Sequence, residues 1–252
     1  MSTALRAARV AALAVVLGAP GVEASRLPFR LYQTGDGLPQ SQVLALHQAR
    51  DGEIWVGTWC GAAYYDGAQF RYLTQRSGLP SNYVRGIVED KAGDLWLAVG
   101  NGVARVAADD RARPAEVVDP LIPRPRPSAV RDLLVDSRGV LWALSQSDGV
   151  AYRDGSRFVA IEVPEIFTDG LQLLAEQPAG TLLVGTNRGL VAIERGAARP
   201  WRAGPGPWAE PIRFVYAAAP DQVVFATAAG VFQAAGAGLT ELKTIENHAI
   251  PL

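Results

Sequence analysis

The chain has 252 residues, of which 49% are hydrophobic and 19% are charged, a composition that excludes an intrinsically disordered protein. The formal net charge is -1 at pH 7, so the chain has no excess of positive charge to attract a nucleic acid. Its 26 Gly and 17 Pro indicate many turns and predict an all-β fold.

The first 25 residues are predicted to be a secretory signal peptide. Arg6 and Arg9 precede an apolar run, Val10 to Leu17, and small residues follow it through Ala24 and Ser25. A membrane anchor is the alternative, but the 13 residues from position 10 to 22 are fewer than the roughly 20 of a spanning helix. We therefore expect a periplasmic or secreted protein with no stable membrane span.

After this segment, one sequence pattern recurs five times. An apolar residue opens each copy, a Gly follows nine residues later in four of the five copies, and a large apolar anchor comes three residues further on. The opening residues are Val43, Val84, Val130, Leu171 and Ile212. The anchors are Trp55, Trp96, Trp142, Leu183 and Val224, which are 41, 46, 41 and 41 residues apart. The longer second step is attributed to an extended loop, Ala107 to Pro127.

Each copy is expected to form four short antiparallel strands. In the first copy, apolar runs alternate with turn signals such as Asp66-Gly67. The predicted strands of this copy are Val43 to Gln48, Ile54 to Thr58, Ala62 to Tyr65 and Phe70 to Leu73. A sheet of four strands has two apolar faces and cannot bury them alone, so the copies must stack face to face.

The sequence therefore predicts an all-β fold, a β-propeller of four-stranded antiparallel blades with about five repeats in an incomplete ring. Residues 1–25 form the signal peptide and residues 26–252 the propeller segment. The blade repeats are predicted at approximately 33–74, 75–120, 121–161, 162–202 and 203–245. The anchor tryptophans are expected to lie in the core between blades.

The repeats resemble the two-component regulator propeller repeat, most clearly in the first two copies. The matching segments are Asp36-Gly37-Leu38-Pro39, Gly78-Leu79-Pro80-Ser81-Asn82, Asp90-Lys91-Ala92-Gly93-Asp94-Leu95-Trp96, Ile54 to Thr58 and Leu182 to Thr186. This family occurs in exported sensor regions of bacterial hybrid histidine kinases and related signalling proteins. The resemblance implies a periplasmic input domain whose ligand state is passed to a kinase or cyclase.

The ends of the pattern predict that the chain is the N-terminal piece of a longer propeller protein, or a truncated reading frame. Phe29 lies 41 residues before Phe70, so Phe29 to Tyr32 is expected to be the fourth strand of a blade. The fifth copy already has its own fourth strand near Leu239 to Leu242, which leaves that first strand unpaired. We expect a full-length relative to add the missing blades and a histidine kinase or cyclase output domain.

Loops that join the fourth strand of one blade to the next blade, and those that join the second strand to the third, are expected to open on one face. The uncharged amides, hydroxyls and aromatic rings there suit a carbohydrate or another polar small molecule. The alternative is that they are ordinary turn residues. The predicted ligand-binding residues are Gln40, Ser41, Gln42, Trp59, Ser81, Asn82, Tyr83, Asn101, Asp148, Asn187 and Arg188.

The sequence shows no catalytic or metal-binding constellation, and we expect neither a cofactor nor an enzymatic activity. Cys60 is the single cysteine, and with His47 and His248 it cannot supply a four-ligand zinc site. His47 is expected to pack within a strand, whereas Asp90 and Asp136 are expected to cap their own turns. A sensor or binding module is the leading hypothesis. The alternatives are an exported propeller lyase or glycosidase, which needs His47 in the channel, and a protein-binding scaffold.

Overall fold

The computed structural model describes residues 31–109, 116–118, 129–145, 149–161, 173–177, 180–194, 196–219 and 222–244. The predicted signal peptide, Asp148 and His248 lie outside these residues. So do the first two residues of the strand predicted at Phe29 to Tyr32. Its last two, Leu31 and Tyr32, are described and are not in a strand, and the Tyr32 ring centroid lies 5.5 Å from that of Phe70.

Within the described residues, twenty strands form five antiparallel sheets, each made of four strands that are consecutive in the chain. The first sheet consists of β1 (Val43–Gln48), β2 (Ile54–Thr58), β3 (Gly61–Tyr65) and β4 (Phe70–Leu73). The second consists of β5 (Val84–Glu89), β6 (Leu95–Val99), β7 (Gly102–Val106) and β8 (Glu116–Val118). The third consists of β9 (Val130–Val135), β10 (Leu141–Ser145), β11 (Gly149–Asp154) and β12 (Arg157–Ile161). The fourth consists of β13 (Leu173–Gln177), β14 (Thr181–Thr186), β15 (Gly189–Glu194) and β16 (Ala197–Pro200). The fifth consists of β17 (Phe214–Ala219), β18 (Gln222–Ala226), β19 (Gly230–Ala235) and β20 (Gly238–Thr244).

The predicted all-β fold of propeller blades is confirmed. The strands of the first sheet match their predicted bounds to within one residue. The expectation of an extended loop over Ala107 to Pro127 was wrong in one respect, because β8 lies within it and pairs with β7. β8 has only three residues, too few to show the alternation of apolar and polar residues by which a strand is recognised in a sequence. No helix long and apolar enough to cross a bilayer occurs in the part of the chain that the structure describes.

The turn between β5 and β6 is held by Asp90, as predicted. Its Oδ1 accepts the backbone N–H groups of Ala92 and Asp94 at 2.9 and 3.0 Å. Its Oδ2 accepts the indole N–H of Trp96 at 2.8 Å. A buried indole N–H needs an acceptor. The capping aspartate therefore also fixes the anchor of the sheet.

Asp136 has the same role in the turn between β9 and β10. It accepts the backbone N–H groups of Arg138 and Val140 and the indole N–H of Trp142 at 3.0, 2.8 and 3.1 Å. Burial raises the pKa of Asp136, but the hydrogen bonds from Trp142, Arg138 and Val140 outweigh it and hold the pKa below its ordinary value. The carboxylate form thus stabilises both the turn and the anchor.

Four hydrophobic cores lie at the seams, the interfaces between consecutive sheets. Each of the first four anchors faces the seam with the following sheet. Trp55 lies at the first seam, Trp96 at the second, Trp142 at the third and Leu183 at the fourth. Trp55 and Trp96 are only 0% and 1% exposed, and full burial of such a side chain contributes about 3 kcal/mol. The prediction that the anchor tryptophans lie in the core is confirmed.

The stack of sheets ends in two exposed apolar faces. Contacts join each sheet to the next in chain order. Leu46 of β1 is 71% exposed, whereas Ile87 and Leu133, at the same position of β5 and β9, are 7% and 4% exposed. At the other end, Phe214 and Tyr216 of β17 are 49% and 57% exposed. This exposure fits the predicted incomplete ring, because a neighbouring blade would cover both faces.

Replacement of a buried anchor is expected to cost far more stability than replacement of an exposed tryptophan. Trp96→Ala leaves a cavity at the second seam, so we expect the free energy of unfolding to fall by about 3–5 kcal/mol. Trp59→Ala, at a side chain that is 48% exposed, is expected to cost less than about 1 kcal/mol. Urea unfolding followed by circular dichroism measures both losses, and equal losses would contradict the assignment of Trp96 to the seam.

Candidate functional site

The candidate site is the loop face of the first two sheets, which comprises residues 37–42, 59–60, 74–83 and 100–101. These residues form the segments that lead into β1 and β5 and the turns that join β2 to β3 and β6 to β7. Because neighbouring strands are antiparallel, all four segments lie at the same end of the strands.

The segment that leads into β5 is fixed by its backbone. A short 3-10 turn, Gln75–Ser77, ends at Gly78, whose φ of 103° lies in the left-handed region that favours glycine. Leu79 then becomes buried at 3% exposure. The segment before β1 repeats this geometry with Gly37, at a φ of 107°. The Gly-Leu-Pro sequence thus directs the chain onto the loop face in both sheets.

Three of the predicted ligand-binding residues hold the second loop in place. Asn82 Oδ1 accepts the backbone N–H of Gln75 at 2.7 Å. Asn101 Nδ2 donates to the carbonyl oxygen of Pro80 at 3.0 Å. Ser81 Oγ accepts the backbone N–H of Tyr83 at 3.2 Å. These bonds agree with the interpretation of the three side chains as turn residues, and they also make the loop rigid.

Two amide oxygens of the loop face are buried without a hydrogen-bond partner in the described part of the chain. They belong to Gln40 and Asn101, both of them predicted site residues. A buried acceptor without a donor is rare in proteins and indicates a place for a water molecule or a ligand hydroxyl. Ser41 and Gln42, beside Gln40, are exposed.

Trp59 and Tyr83 form the aromatic part of the loop face. Trp59 lies in the turn between β2 and β3, and Tyr83 directly precedes β5. Their rings stack at 4.1 Å between centroids with planes 23° apart. Trp59 remains 48% exposed, so part of its ring is open to solvent. The turn itself is held by the buried Thr58, whose Oγ1 accepts the N–H of Cys60 at 3.0 Å.

The inner strands, which are the first strands of each sheet, carry an arginine at a β-bulge in the second and third sheets. Arg85 is the extra residue of the bulge in β5, opposite β6, and Arg131 is that of β9, opposite β10. The Arg85 guanidinium carbon lies 5.4 Å from the centre of the Tyr83 ring. Burial lowers the pKa of Arg131, and the charge of Arg85 lowers it further.

The sequence analysis missed these arginines, although the repeat carried a signal for them. They follow the opening residue of their copies by one position, and Arg213 does the same in the fifth copy. Leu44 stands at that position in the first copy. Arginine stands at this position in only three of the five copies, so it does not recur in the way that the anchors do.

Asp132, next to Arg131, is a half-buried carboxylate at the seam between the third and fourth sheets. Its Oδ2 accepts the backbone N–H of Leu174 on β13 at 2.9 Å, and its Oδ1 accepts the N–H of Leu133 at 2.9 Å. Burial raises its pKa from 3.8 to about 6, although both hydrogen bonds and the charges of Arg131 and Arg85 lower it in part. Asp132 thus joins two sheets behind the arginines.

Arg188 belongs to a separate region. It is exposed and lines a cavity of about 410 Å³ together with Arg202 and Trp208. The Arg202 guanidinium carbon lies 5.4 Å from the centre of the Trp208 ring, and its nitrogens donate to the carbonyl oxygens of Gly236 and Ala237. Asn187 is also exposed. The structure therefore divides the predicted residues between the first two sheets and the fourth.

His47 is packed at the first seam, as predicted. Its Nε2 lies 3.8 Å from Glu89 Oε2 of the second sheet, and the Glu89 side chain is 6% exposed. Glu89 also accepts the backbone N–H of Arg50 at 2.9 Å. Among the described residues, no group of three or more His, Cys, Asp or Glu side chains could hold a metal ion.

The model of the two component regulator propeller family matches residues 37–60 and 78–101. These segments contain Trp59, Tyr83, Arg85 and Asn101, and they confirm the predicted resemblance for the first two copies. No curated protein sequence matches the chain.

Solved structures with the same fold include extracellular domains assigned to two component systems and a lyase. The extracellular domain assigned to a hybrid two component system of B. thetaiotaomicron has 19% identity and a TM-score of 0.70, over 85% of this chain and 32% of that chain. A second such domain from the same organism has 16% identity and a TM-score of 0.68, over 89% of this chain and 33% of that chain. Virginiamycin B lyase from Staphylococcus aureus has 16% identity and a TM-score of 0.67, over 83% of this chain and 72% of that chain. This chain spans about a third of the length of these two extracellular domains.

The half-buried carboxyl of Asp132 is expected to make the protein less stable as the pH rises from about 4 to 6. Its pKa is higher in the folded state than the ordinary 3.8, so ionisation is disfavoured by folding and costs up to about 3 kcal/mol above pH 6. Asp132→Asn removes this cost, so we expect a higher urea midpoint than wild type at pH 7.5 and an equal one near pH 4.

Asp66 provides a control of opposite sign. Hydrogen bonds from the backbone of Gln69 and Ala68 and from Arg71 lower its pKa to about 2. Its ionised form therefore stabilises the fold, and Asp66→Asn is expected to lower the urea midpoint at pH 7.5. If Asp132→Asn were also destabilising at pH 7.5, and by the same amount at pH 4, the role given to its ionisation would be wrong.

Proposed function

We propose that this chain is the ligand-recognition propeller of an exported bacterial signalling protein, and that the ligand binds on the loop face of the first two sheets. The exposed Trp59 ring, stacked on Tyr83 at 4.1 Å, carries the proposal. Both residues lie in the segments that match the regulator propeller model. An exposed aromatic ring held by a rigid turn is the group that stacks on the apolar face of a sugar.

The remaining groups of the loop face suit a polar ligand such as a carbohydrate. The buried oxygens of Gln40 and Asn101 can accept hydrogen bonds from ligand hydroxyls, and the exposed Ser41 and Gln42 can add others. The hydrogen bonds of Ser81 and Asn82 within the loop hold the site in shape before the ligand arrives. Such preorganisation lowers the entropic cost of binding.

The sensor domains that share this fold support a signalling role and a location outside the cytoplasm. Residues 1–25 then act as the signal peptide and residues 26–252 as the propeller segment. We propose that the propeller signals the presence of bound ligand to a histidine kinase or cyclase domain in relatives that carry one.

An exported lyase is the second candidate, because virginiamycin B lyase has the same fold. Proton transfer at neutral pH needs a group such as histidine within reach of the substrate. His47 is packed against Glu89 at the first seam instead. The groups that the structure brings together on the loop face are aromatic rings, amides and guanidiniums, which favours binding over catalysis.

Removal of Trp59 is expected to abolish ligand binding without unfolding the protein. A thermal-shift panel of cellohexaose, xylohexaose, mannohexaose and hexagalacturonate should contain at least one sugar that raises the melting temperature. We expect Trp59→Ala to weaken binding of that sugar at least tenfold, because the stacking surface is lost. Tyr216→Ala, at an exposed aromatic residue of the fifth sheet, serves as the matched control and should bind normally. Equal loss in both variants, or no stabilising sugar, would contradict the proposal.

A further inference from the structure

The fourth sheet carries a cavity that shares no residue with the loop face of the first two sheets. It measures about 410 Å³ and lies between the turn that joins β14 to β15 and the segment that leads from β16 toward β17. Its walls include Arg188 of that turn, Leu190 of β15, Pro200 of β16, and Arg202 and Trp208 of the segment. Pockets of roughly 300–1,000 Å³ hold small molecules, so the size of this cavity suits a small organic ligand.

The segment 201–212, which forms one wall of the cavity, is fixed to the fourth sheet at both ends. The backbone N–H groups of its first and last residues donate to the carbonyl oxygens of Leu190 and Thr186, both at 2.9 Å. Between these ends the segment packs directly on Gly189, where a Cβ would lie 2.5 Å from the carbonyl oxygen of Trp208. The cavity is therefore formed by the backbone before a ligand arrives, which lowers the entropic cost of binding.

The polar side chains that line this cavity are all hydrogen-bond donors. Arg188 is exposed and Arg202 is half-buried, and neither forms an ion pair with a carboxylate of the described residues. The Arg202 nitrogens donate instead to the carbonyl oxygens of Gly236 and Ala237, which fixes the guanidinium without neutralising its charge. The indole Nε1 of Trp208 is buried and has no hydrogen-bond partner in the part of the chain that the structure describes. A buried donor of this kind indicates a place for an acceptor.

The other walls of the cavity are apolar. They include Leu190 and Pro200, and the Arg202 guanidinium carbon lies 4.5 Å from the centre of the Trp201 ring and 5.4 Å from that of Trp208. An apolar cavity of about 150 Å³ already holds benzene, so this one has room for a ring and an attached acidic group. A matching ligand combines an apolar body with a group of acceptor atoms.

We propose that this cavity is a second ligand site, and that it binds a small organic carboxylate with an apolar body. The carboxylate oxygens accept hydrogen bonds from Arg188 and Arg202, whose planar guanidiniums match the geometry of that group. The indole N–H of Trp208 supplies a further donor. The apolar body packs against Leu190 and Pro200. Because the site lies apart from the loop face of the first two sheets, this inference does not depend on the proposed function.

The test compares carboxylates with their amides by isothermal titration calorimetry on the whole protein. The probes are benzoate, phenylacetate and indole-3-acetate, and each amide has the same apolar body without the charge. We expect at least one carboxylate to bind about tenfold more tightly than its amide, because hydrogen bonds to a charged acceptor are the stronger ones. The difference should shrink as NaCl is raised from about 50 to about 300 mM. Equal binding of acid and amide, or no binding of the three acids, would overturn the proposal.

Substitutions locate the bound carboxylate. Arg188→Gln and Arg202→Gln should each weaken its binding about tenfold, since each removes a charged donor. Trp208→Phe keeps an apolar ring but loses the N–H, so it should show a smaller loss. Arg71→Gln, at an exposed arginine of the first sheet that pairs with Asp66, is the matched control and should bind as wild type. Melting temperatures would establish that each variant is folded, and Arg188→Gln, at an exposed side chain, decides the outcome if the others are not.

Trp59→Ala separates this inference from the proposed function. It should abolish sugar binding and leave binding of the carboxylate unchanged, because Trp59 does not line this cavity. A loss of carboxylate binding in Trp59→Ala or Arg71→Gln equal to that in Arg188→Gln would overturn the second site. If inorganic phosphate competed as well as the carboxylate itself, the apolar walls would have no role and the ligand class would be wrong. A sugar panel without a stabilising member would contradict the proposed function and leave the second site intact.

Discussion

The structure depends on one constraint: a sheet of four short strands has two apolar faces and is stable only when a neighbour covers each of them. The anchors show how the chain meets this constraint. Trp55, Trp96, Trp142 and Leu183 lie at four successive seams, and each points toward the sheet that follows it. Since every seam uses the same position of the repeat, the fold is a linear series of equivalent interfaces. The exposed faces at Leu46 and at Tyr216 follow from the same rule.

Polar contacts give the seams their alignment. At the first seam, Glu89 accepts the backbone N–H of Arg50. At the third seam, Glu176, which has the same position in β13 as Glu89 has in β5, accepts the backbone N–H of Ser137 at 2.6 Å. At the second seam, Lys91 Nζ donates to the carbonyl oxygen of Ser137 at 2.8 Å. Apolar packing is not directional, so these hydrogen bonds fix how one sheet sits on the next. The position of groups on the loop face depends on that alignment.

The candidate site uses the part of the repeat that packing leaves free. Within each sheet, side chains of the second and third strands pack at the seams, whereas the loop face carries residues that differ between copies. Trp59 in the first copy and Asn187 in the fourth occupy the same turn position, each one residue after a threonine that holds the turn. A fixed scaffold with variable loops allows the binding chemistry to change without loss of the fold.

The sequence by itself determined the strand bounds of the first sheet, the burial of the anchor tryptophans and the turn-capping roles of Asp90 and Asp136. All of these follow from local signals, the alternation of side chains and the chemistry of tight turns, which act over fewer than about ten residues. Only the tertiary structure decided that Trp59 stacks on Tyr83 and that Asp132 bonds to Leu174. Those pairs lie in different copies, so their distances depend on how consecutive sheets stack. It also showed that Asn82 and Asn101 are engaged in their own loop, because an amide in sequence suits a turn and a ligand equally well.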